Sequence, residues 1–591
     1  MPDTGSFGPH VLREYALIAD GERGALIGPD GAMSWLCAPG WDSPAVFSGL
    51  LGGRGVYAVT PADPWHVWGG YYENGTLIRR SRWVGASRTE CREALAMPAD
   101  PHRAVILRRI VAVDGPAKVN VVLDVRAGFG RSAMTDLSRA RGCWTGRSGR
   151  IRLRWSGAAK ARPGPDGLTL TVTLPAGGHH DLVLELADRP LDGPPPDPDA
   201  AWAATENTWS DVVPACDDLI ADRDARHCYA VLRGLTSGSG AMVAAATTSL
   251  PERLEGGRNY DYRYAWIRDQ CYAGLAVAAH GPHPLLEGTL RFITERIVAD
   301  GPDLSPAYTV AGAPIPDEHG LRLRGYPGGS SRVGNRVTSQ FQLDGLGEAL
   351  ELFAAAARLD MLAEQNWQAA AIAADAIKQR WSQPDAGIWE LEDRHWTHSR
   401  LTCVSGLRAL AAAAQSPPGT TYSGAYSRSG QRQAAGWSAL ADSLAASLGD
   451  AVHAAGRWQR SPDDERVDAA LLLPVIRGAV RADDPRNRAT VRAVQDELTE
   501  DGYVYRFRHD ARPLHKSEGA FLLCGFWMAQ AAQVYGDRTA AARWFERNRA
   551  ACGPAGLYTE EYDVHQRQLR GNLPQAFVHA GMLECAARLS V

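Results

Sequence analysis

The chain has 591 residues, of which 45% are hydrophobic and 22% charged, and its net charge at pH 7 is −4. This length exceeds one ordinary hydrophobic core, so we expect at least two packed units. The charge balance excludes the basic footprint of a nucleic-acid-binding protein, and no apolar run has the length of a membrane span.

The cysteines and the N-terminus bear on the cellular compartment. Ten cysteines are scattered along the chain without a CxxC pair, which favours free thiols in a reducing environment. The N-terminal residues lack a basic segment followed by an apolar one, as a signal peptide would require. We therefore expect a cytoplasmic protein.

The first 200 residues alternate apolar and polar side chains between turn residues, which predicts β-strands. A hairpin is predicted over 24–37, where Pro-Asp-Gly separates two apolar runs. Four further strands are predicted, over 103–113, 117–127, 149–157 and 167–176. We expect an antiparallel β-sandwich over residues 1–200 that ends in a proline-rich linker, 189–200.

From about residue 220 the periodicity becomes helical, and about twelve amphipathic helices are expected before residue 591. Ala-rich examples cover 348–360, 366–381, 438–456 and 520–536. Long loops between them carry most of the aromatic and charged residues. We predict an all-α (α/α)6 barrel of six helical hairpins over 201–591, with function in the loops at one end.

Several known motifs receive no support. The glycine-rich GFGRSA (128–133) is followed by strand-like sequence instead of the helix that dinucleotide binding requires. No GxxxxGK[ST], HExxH or GxSxG motif occurs. Zinc-protease and serine-hydrolase chemistry therefore lack support, and we expect no metal and no organic cofactor. The Ser-, Gly- and Tyr-rich segment 415–431 is predicted to be an exposed loop.

Three loop segments combine aromatic residues with carboxylates, as the flat faces and hydroxyl groups of a sugar require. The first, 259–270, alternates aromatic and charged residues before an apolar helix. Arg268 and Asp269 stand at the start of that helix. They are either a helix cap with a surface ion pair, or a pair that hydrogen-bonds sugar hydroxyls.

The second and third segments supply carboxyl groups. In 387–400 Glu390 follows Trp389, and an apolar neighbour raises the pKa of a carboxyl group, as a general acid requires. In 556–577 Glu560 and Glu561 follow an aromatic residue. Each segment alone is equally compatible with an exposed acidic loop. Together they contain the two carboxyl groups that glycoside hydrolysis requires.

The chain resembles glycoside hydrolase family 15, which contains the glucoamylases and related bacterial trehalases. The resemblance covers nearly the whole chain, and its blocks follow the order of the family. They are EYALIADGERGALIGPDGAMSWLC, NYDYRYAWIRD, GNRVTSQFQLDGLGEAL, GIWE, DGYVYRFR, EGAFLLCGFW and TEEYD with GNLPQAF. The fold that this resemblance implies is a β-sandwich followed by an (α/α)6 barrel.

The resemblance also implies roles for individual residues. Glu390 matches the general acid and Glu560 the general base of the family. Tyr262 matches a tyrosine near the attacking water, and Arg268 with Asp269 matches the pair that holds the non-reducing-end glucose. Four further substrate-binding residues are expected on the same grounds: Trp266, Trp389, Arg506 and Glu518.

The implied activity is inverting hydrolysis that releases β-D-glucose from the non-reducing end of a small α-glucoside. Trehalose is favoured, while glucoamylase or isomaltose/dextran glucosidase activity is an alternative, as is non-catalytic carbohydrate binding on the same fold. The chain departs from the family pattern at Ser34, Gly40 and Glu392–Asp393. These departures leave the cleaved linkage open, and the oligomeric state is open as well. The expected partner is a disaccharide or oligosaccharide, with no nucleic acid or membrane.

Overall fold

The computed structural model describes residues 7–253, 258–415 and 427–591. Its N-terminal part contains two antiparallel eight-stranded sheets. The first sheet runs in the order β1-β2-β3-β5-β10-β15-β14, with β4 paired to β3, and the second in the order β11-β12-β13-β16-β9-β8-β7-β6. The strands are β1 Ala16–Ala19, β2 Gly24–Ile27, β3 Ala32–Cys37, β4 Ala45–Phe47, β5 Val56–Pro61, β6 Val67–Tyr72, β7 Arg79–Val84, β8 Arg88–Leu95, β9 Arg103–Ala112, β10 Ala117–Asp124, β11 Met134–Ala140, β12 Cys143–Ser148, β13 Ile151–Ser156, β14 Arg162–Gly164, β15 Gly167–Leu174 and β16 His179–Ala187.

Alternation of side chains builds the core between these sheets. In β15 the buried residues Leu168, Leu170 and Val172 face the second sheet, while Thr171 and Thr173 are exposed. Full burial of one such aliphatic side chain contributes about 1.5–3 kcal/mol. The predicted hairpin is confirmed, since β2 pairs with β3 across the Pro-Asp-Gly turn. The β-sandwich expected at the N-terminus is therefore correct.

The remainder of the chain is mainly helical. Its helices are α1 Pro198–Val212, α2 Asp222–Leu235, α3 Ile267–His280, α4 Pro284–Asp300, α5 Asp344–Arg358, α6 Glu364–Arg380, α7 Thr397–Gln415, α8 Ser427–Ala446, α9 Leu473–Arg477, α10 Pro485–Glu497, α11 Leu514–Ser517, α12 Leu522–Val534, α13 Arg538–Arg549 and α14 Ala576–Leu589. Short strand pairs lie in the loops: β17 Ala265–Trp266, β18 Ala307–Tyr308, β19 His319–Gly320, β20 Arg332–Val333, β21 Thr499–Glu500, β22 Tyr503–Val504, β23 Ala520–Phe521, β24 Glu561–Asp563 and β25 Gln568–Arg570.

Within the described residues, six inner helices form a closed ring and six outer helices surround it. The ring runs α3, α5, α7, α9, α12 and α14, and α14 packs against α3 to close it. The outer helices are α2, α4, α6, α8, α10 and α13. This is the expected (α/α)6 barrel. None of the helices in the described ranges combines the length and hydropathy of a membrane span.

Two local predictions are wrong. Residues 427–431 were expected in an exposed loop, yet they form the first turn of α8, while 416–426 lie outside the described residues. The composition favours a loop because Ser and Gly are weak helix formers, but packing of α8 along α7 overrides that preference. The helix predicted over 438–456 ends at Ala446, and a 3-10 turn follows with non-helical angles at Leu448.

The two parts of the chain meet through buried polar contacts. The last strand of the sandwich ends at Ala187, so the proposed division at residue 200 falls in the first turn of α1. Arg263 reaches across from the barrel, and its Nη1 donates to the carbonyl oxygen of Ser43 at 2.9 Å. The same guanidinium forms a two-pronged pair with Asp261, at 2.8 and 2.7 Å.

We predict that Arg263→Ala destabilises the protein strongly. Its guanidinium is buried, so its removal leaves the Asp261 carboxylate without its partner, which costs about 3–5 kcal/mol. Urea unfolding followed by tryptophan fluorescence measures this loss. The matched control is Arg481→Ala, because Arg481 pairs with Asp483 on the surface and its loss should leave the unfolding midpoint unchanged. Equal midpoints for the two variants would contradict the prediction.

Candidate active site

A cavity of about 420 Å³ opens at one end of the barrel. Its walls come from the segments that precede inner helices and from the first residues of those helices. Six residues expected at the site line it: Tyr262, Arg268, Trp389, Glu390, Arg506 and Glu560. The other three, Trp266, Asp269 and Glu518, are buried behind the lining. The structure therefore brings all three aromatic–carboxylate segments to one place.

The segment before α3 is extended and presents alternate side chains to opposite sides. Backbone carbonyls of Tyr260 and Tyr262 accept hydrogen bonds from Ser249 and Ala245, each at 2.8 Å. Successive side chains of an extended chain point in opposite directions. Tyr262 therefore faces the cavity, while Arg263 points toward the β-sandwich. The alternation of aromatic and charged residues in this segment therefore reflects an extended chain that forms one wall of the cavity.

Glu390 lies in a tight turn between α6 and α7. Its φ is +55°, and that of Gly387 is +67°, so both residues adopt the left-handed conformation. The amide of Glu390 donates to the carbonyl of Gly387 at 3.1 Å and closes the turn. Such a conformation is costly for a residue with a side chain and persists where the surroundings impose it. It directs the carboxyl group into the cavity.

The carboxyl group of Glu390 is held by two donors. Trp266 donates its indole N–H to Oε1 at 2.8 Å, and Arg268 donates from Nη2 to the same oxygen at 3.0 Å. Arg268 is itself fixed by Gln342, which accepts from Nη1 at 2.9 Å. Among the described residues Oε2 has no hydrogen-bond partner, so this oxygen is the one available to carry a proton toward a ligand.

Trp389 forms an aromatic wall beside that carboxyl group. Its indole N–H donates to Oδ1 of Asp468 at 2.9 Å, which fixes the ring. The ring packs edge-on against Phe521, with centroids 5.2 Å apart. The guanidinium of Arg506 lies 4.7 Å from the Phe521 ring. The cavity therefore offers flat apolar surfaces next to charged groups, which is the combination that a sugar ring needs.

Glu560 lies on the same cavity and belongs to a buried carboxyl pair. Tyr262 donates its hydroxyl to Oε2 of Glu560 at 3.1 Å and contacts Oε1 of Glu252 at 3.2 Å. Burial and the adjacent Glu252 raise the pKa of Glu560 well above its ordinary value, although Arg506 opposes the shift. Burial raises the pKa of Glu252 as well. The pair therefore retains a proton more readily than isolated carboxylates do.

The two principal carboxyl groups are separated by aromatic side chains. Trp266 bonds Glu390, and the Tyr262 ring meets the edge of the Trp266 ring, with centroids 5.5 Å apart. Tyr262 in turn bonds Glu560. Glu390 and Glu560 thus face one cavity without touching each other, which leaves space for a ligand between them.

Arg506 is fixed by a second set of acids. It donates to Oε2 of Glu518 from Nε at 3.1 Å and from Nη2 at 2.6 Å. His509 contacts the same oxygen at 2.8 Å. Burial opposes ionisation of Glu518, but Arg506 and His509 outweigh it and lower its pKa to about 2. Glu518 therefore positions Arg506 from behind, instead of lining the cavity itself.

Asp269 also lies behind the lining. It is buried in the first turn of α3, with Oδ2 3.8 Å from Nε of Arg268. Burial raises its pKa to about 6, against the effect of Arg268. A direct bond from Asp269 to a sugar stays a prediction. In this geometry Asp269 is a neighbour of Arg268, which does line the cavity.

Several residues of the site were not predicted from the sequence. Glu252 contacts Tyr262, Gln342 holds Arg268, and Asp468 holds Trp389. Glu318 and Arg332 form an ion pair of 2.9 Å on the cavity wall. None of these five stands in an aromatic-rich segment, so local pattern could not find them. Two of them carried a signal in the sequence: Gln342 stands in the family block GNRVTSQFQLDGLGEAL, and Glu252 precedes the 259–270 segment by seven positions.

Comparison with known proteins supports a common origin and a common fold. The profile described as glycosyl hydrolases family 15 matches residues 229–587, and the profile described as trehalase-like, N-terminal matches 5–146. A trehalase of Mycobacterium tuberculosis is 31% identical, covering 98% of this chain and 89% of that protein. A trehalase of Mycolicibacterium smegmatis is 29% identical, covering 98% and 91%.

A solved structure shares the architecture. A bacterial glucoamylase in complex with acarbose superposes with a TM-score of 0.69 at 13% identity. The match covers 98% of this chain and 94% of the glucoamylase. The arrangement of sandwich and barrel is therefore common to both proteins.

We predict that Gly387→Ala destabilises the turn that carries Glu390. A Cβ atom at this left-handed position would lie 2.6 Å from the Trp396 ring. The strain should cost about 1–3 kcal/mol in thermal or urea unfolding. The control is Gly436→Ala in α8, where a Cβ atom meets nothing within 4 Å and should add about 0.5–1 kcal/mol of stability. Loss of stability in both variants, or in neither, would be the contrary result.

Proposed function

Because the chain belongs to glycosyl hydrolase family 15, we propose that this glycoside hydrolase cleaves trehalose with inversion at the attacked carbon. Trehalases of two mycobacteria are among the relatives that match over 98% of its length. The observation that carries the proposal is the placement of Glu390 and Glu560 on one cavity, with Trp266 and Tyr262 between them. Two carboxyl groups kept apart in this way suit a single displacement.

In the proposed mechanism Glu390 is the general acid. Its Oε2 protonates the glycosidic oxygen while Trp266 and Arg268 hold Oε1. As the proton leaves, the carboxylate that forms keeps both donors, which stabilise its charge in a partly buried site. Arg268 therefore has two tasks, because it anchors the acid and lines the pocket for the sugar.

Glu560 is the proposed general base. It removes a proton from a water molecule that attacks the anomeric carbon from the face opposite the leaving sugar. Tyr262, which donates to Glu560, orients the base and is placed beside the attacking water. The raised pKa of Glu560 makes its carboxylate a stronger base. The same shift lowers the fraction of Glu560 that is ionised at low pH.

The glucose unit is held by groups already described. Trp389 and Phe521 offer flat faces to its C–H surface, while Arg268 and Arg506 donate hydrogen bonds to its hydroxyls. Glu318, Arg332 and Arg336 form an ion-paired group on the wall, and Arg336 is largely exposed. We assign this group to the leaving glucose. Because all ten thiols are unpaired, we further propose a reducing compartment such as the cytoplasm.

A panel of substrates tests the proposed specificity. Trehalose, maltose, isomaltose, maltooligosaccharides and starch are each incubated with the enzyme, and released glucose is measured. We expect the highest kcat/KM for trehalose. Preference for maltooligosaccharides would instead assign a glucoamylase activity, and no hydrolysis of any member would leave a carbohydrate-binding protein.

We predict that Glu390→Gln and Glu560→Gln each reduce kcat on trehalose at least about 100-fold, since each loses a proton-transfer group. Both substitutions keep the size of the side chain, so the KM for trehalose should change much less. Glu392→Gln is the control, because Glu392 is mostly exposed and, within the described residues, its salt bridge is to Arg394. Near-normal turnover in either active-site variant would remove that residue from its assigned role.

We predict that Glu252→Gln moves the acidic limb of the kcat/KM profile to lower pH. The base must be ionised to act, and burial with the neighbouring Glu252 raises the pKa of Glu560. Removal of the Glu252 charge lowers that pKa, so activity persists further into acid. Glu318→Gln, which changes another cavity carboxylate, should leave the limb in place. A shift to higher pH in Glu252→Gln would refute the coupling.

A further inference from the structure

Two histidines and a glutamate converge at a place that the proposed catalysis does not use. His565 Nε2 lies 2.8 Å from Oε1 of Glu500, and His515 Nδ1 lies 3.2 Å from the same oxygen. The three ligand atoms all lie within 4.8 Å of one another. We propose that Glu500, His515 and His565 form a binding site for a divalent transition-metal ion, of which Zn²⁺ is the best match.

The donor set and its geometry fit Zn²⁺. Zinc binds imidazole nitrogen at about 2.0–2.1 Å and carboxylate oxygen at about 2.0–2.2 Å, in tetrahedral arrangement. Donor atoms around such an ion are separated by about 3.3 Å. The two separations from the carboxylate oxygen, 2.8 and 3.2 Å, need only small adjustments of the side chains, and the two histidine nitrogens lie within 4.8 Å of each other. Two histidines and one carboxylate leave a fourth position for water.

The carboxylate is already oriented from behind. The hydroxyl of buried Tyr505 donates to Oε2 of Glu500 at 3.2 Å, while Oε1 faces both histidines and His515 Nδ1 also lies 3.3 Å from Oε2. Bonds of this kind to a ligating group tune metal sites and fix their geometry. The imidazole rings of His515 and His565 lie 3.8 Å apart, between centroids. A metal ion between the three groups would replace the contacts of Glu500 with the two histidines by coordination bonds.

The donor chemistry discriminates among ions. Mg²⁺ and Ca²⁺ prefer sites built from oxygen ligands, and this site offers two nitrogens. His565 is about half exposed, so an ion can enter from solvent, while His515 and Glu500 are more buried. The competing explanation of these contacts is an ion pair between Glu500 and the two histidines, with no metal bound.

A bound ion would connect three segments that lead to the catalytic groups. Glu500 ends β21, and Arg506 follows it by six positions. His515 lies in α11, and this helix directly precedes Glu518, which holds Arg506. His565 lies in the turn between β24 and β25, the hairpin that follows Glu560. A bound ion would thus stabilise the segments that carry Arg506 and Glu560. The site does not depend on the identity of the substrate.

Calorimetric titration of the full-length protein tests the site directly. The protein is treated with EDTA, dialysed, and titrated with Zn²⁺ and separately with Mg²⁺. We expect one equivalent of Zn²⁺ to bind and Mg²⁺ to give no saturable signal. His515→Ala and His565→Ala should each weaken Zn²⁺ binding at least tenfold. Thermal unfolding should show a rise in Tm with Zn²⁺ in the wild type that both variants lack.

Matched variants exclude other ligands. His283 lies 3.1 Å from His280 in a second histidine pair, so His283→Ala should bind Zn²⁺ as the wild type does. Cys552 is partly exposed, unlike the other cysteines in the part of the chain that the structure describes, and Cys552→Ser should also retain binding. His565→Gln, in an exposed turn, provides a variant whose fold is checked by circular dichroism. Failure of the wild type to bind, or undiminished binding in His515→Ala and His565→Ala, would overturn the proposal.

Discussion

The buried pair of Asp261 and Arg263 is the contact on which the active site depends. The guanidinium joins the Asp261 carboxylate and the carbonyl oxygens of Trp41 and Ser43, so it links the barrel to the β-sandwich. Asp261 also accepts from the amide of Gly334, in the segment that leads to α5. Because the chain is extended here, fixing alternate residues on the sandwich side sets the direction of Tyr262 on the cavity side. The N-terminal domain thereby contributes to the catalytic geometry without touching the ligand.

Charge balance is the second constraint. The cavity collects carboxyl groups in a buried setting, where each unpaired charge is costly. Arg268 compensates Glu390, and Arg506 compensates Glu518 and, at 3.7 Å, Glu561. The cavity is lined by residues at or just before the first turns of α3, α5, α7, α12 and α14, so the dipoles of these inner helices favour negative charge there. Burial also raises the pKa of Glu561, Glu348 and Asp344. At Glu560, burial and the neighbouring Glu252 raise the pKa of a group on the cavity, where that shift has a use in catalysis.

Much of this arrangement could be predicted from the sequence, and the rest could not, for a physical reason. Period-two alternation and helical periodicity are local, so the sandwich and the barrel follow from them. Aromatic residues beside carboxylates are also local, and they made Glu390 and Glu560 candidates, while the roles proposed for the two residues come from the family resemblance. The partners that orient these groups come from distant segments, as Gln342 does for Arg268 and Asp468 for Trp389. Such contacts exist only after folding, and no spacing along the chain reports them.

The stereochemistry of the first turnover tests the account most directly. Trehalose contains two α-linked glucose units, and a single displacement inverts only the carbon that water attacks. Proton NMR at early times, before mutarotation, should therefore show β-glucose and α-glucose in equal amounts. That result is expected from Glu390 as acid and Glu560 as base on either side of the bond. Release of α-glucose alone would indicate retention through a covalent intermediate and would contradict the roles assigned to both residues.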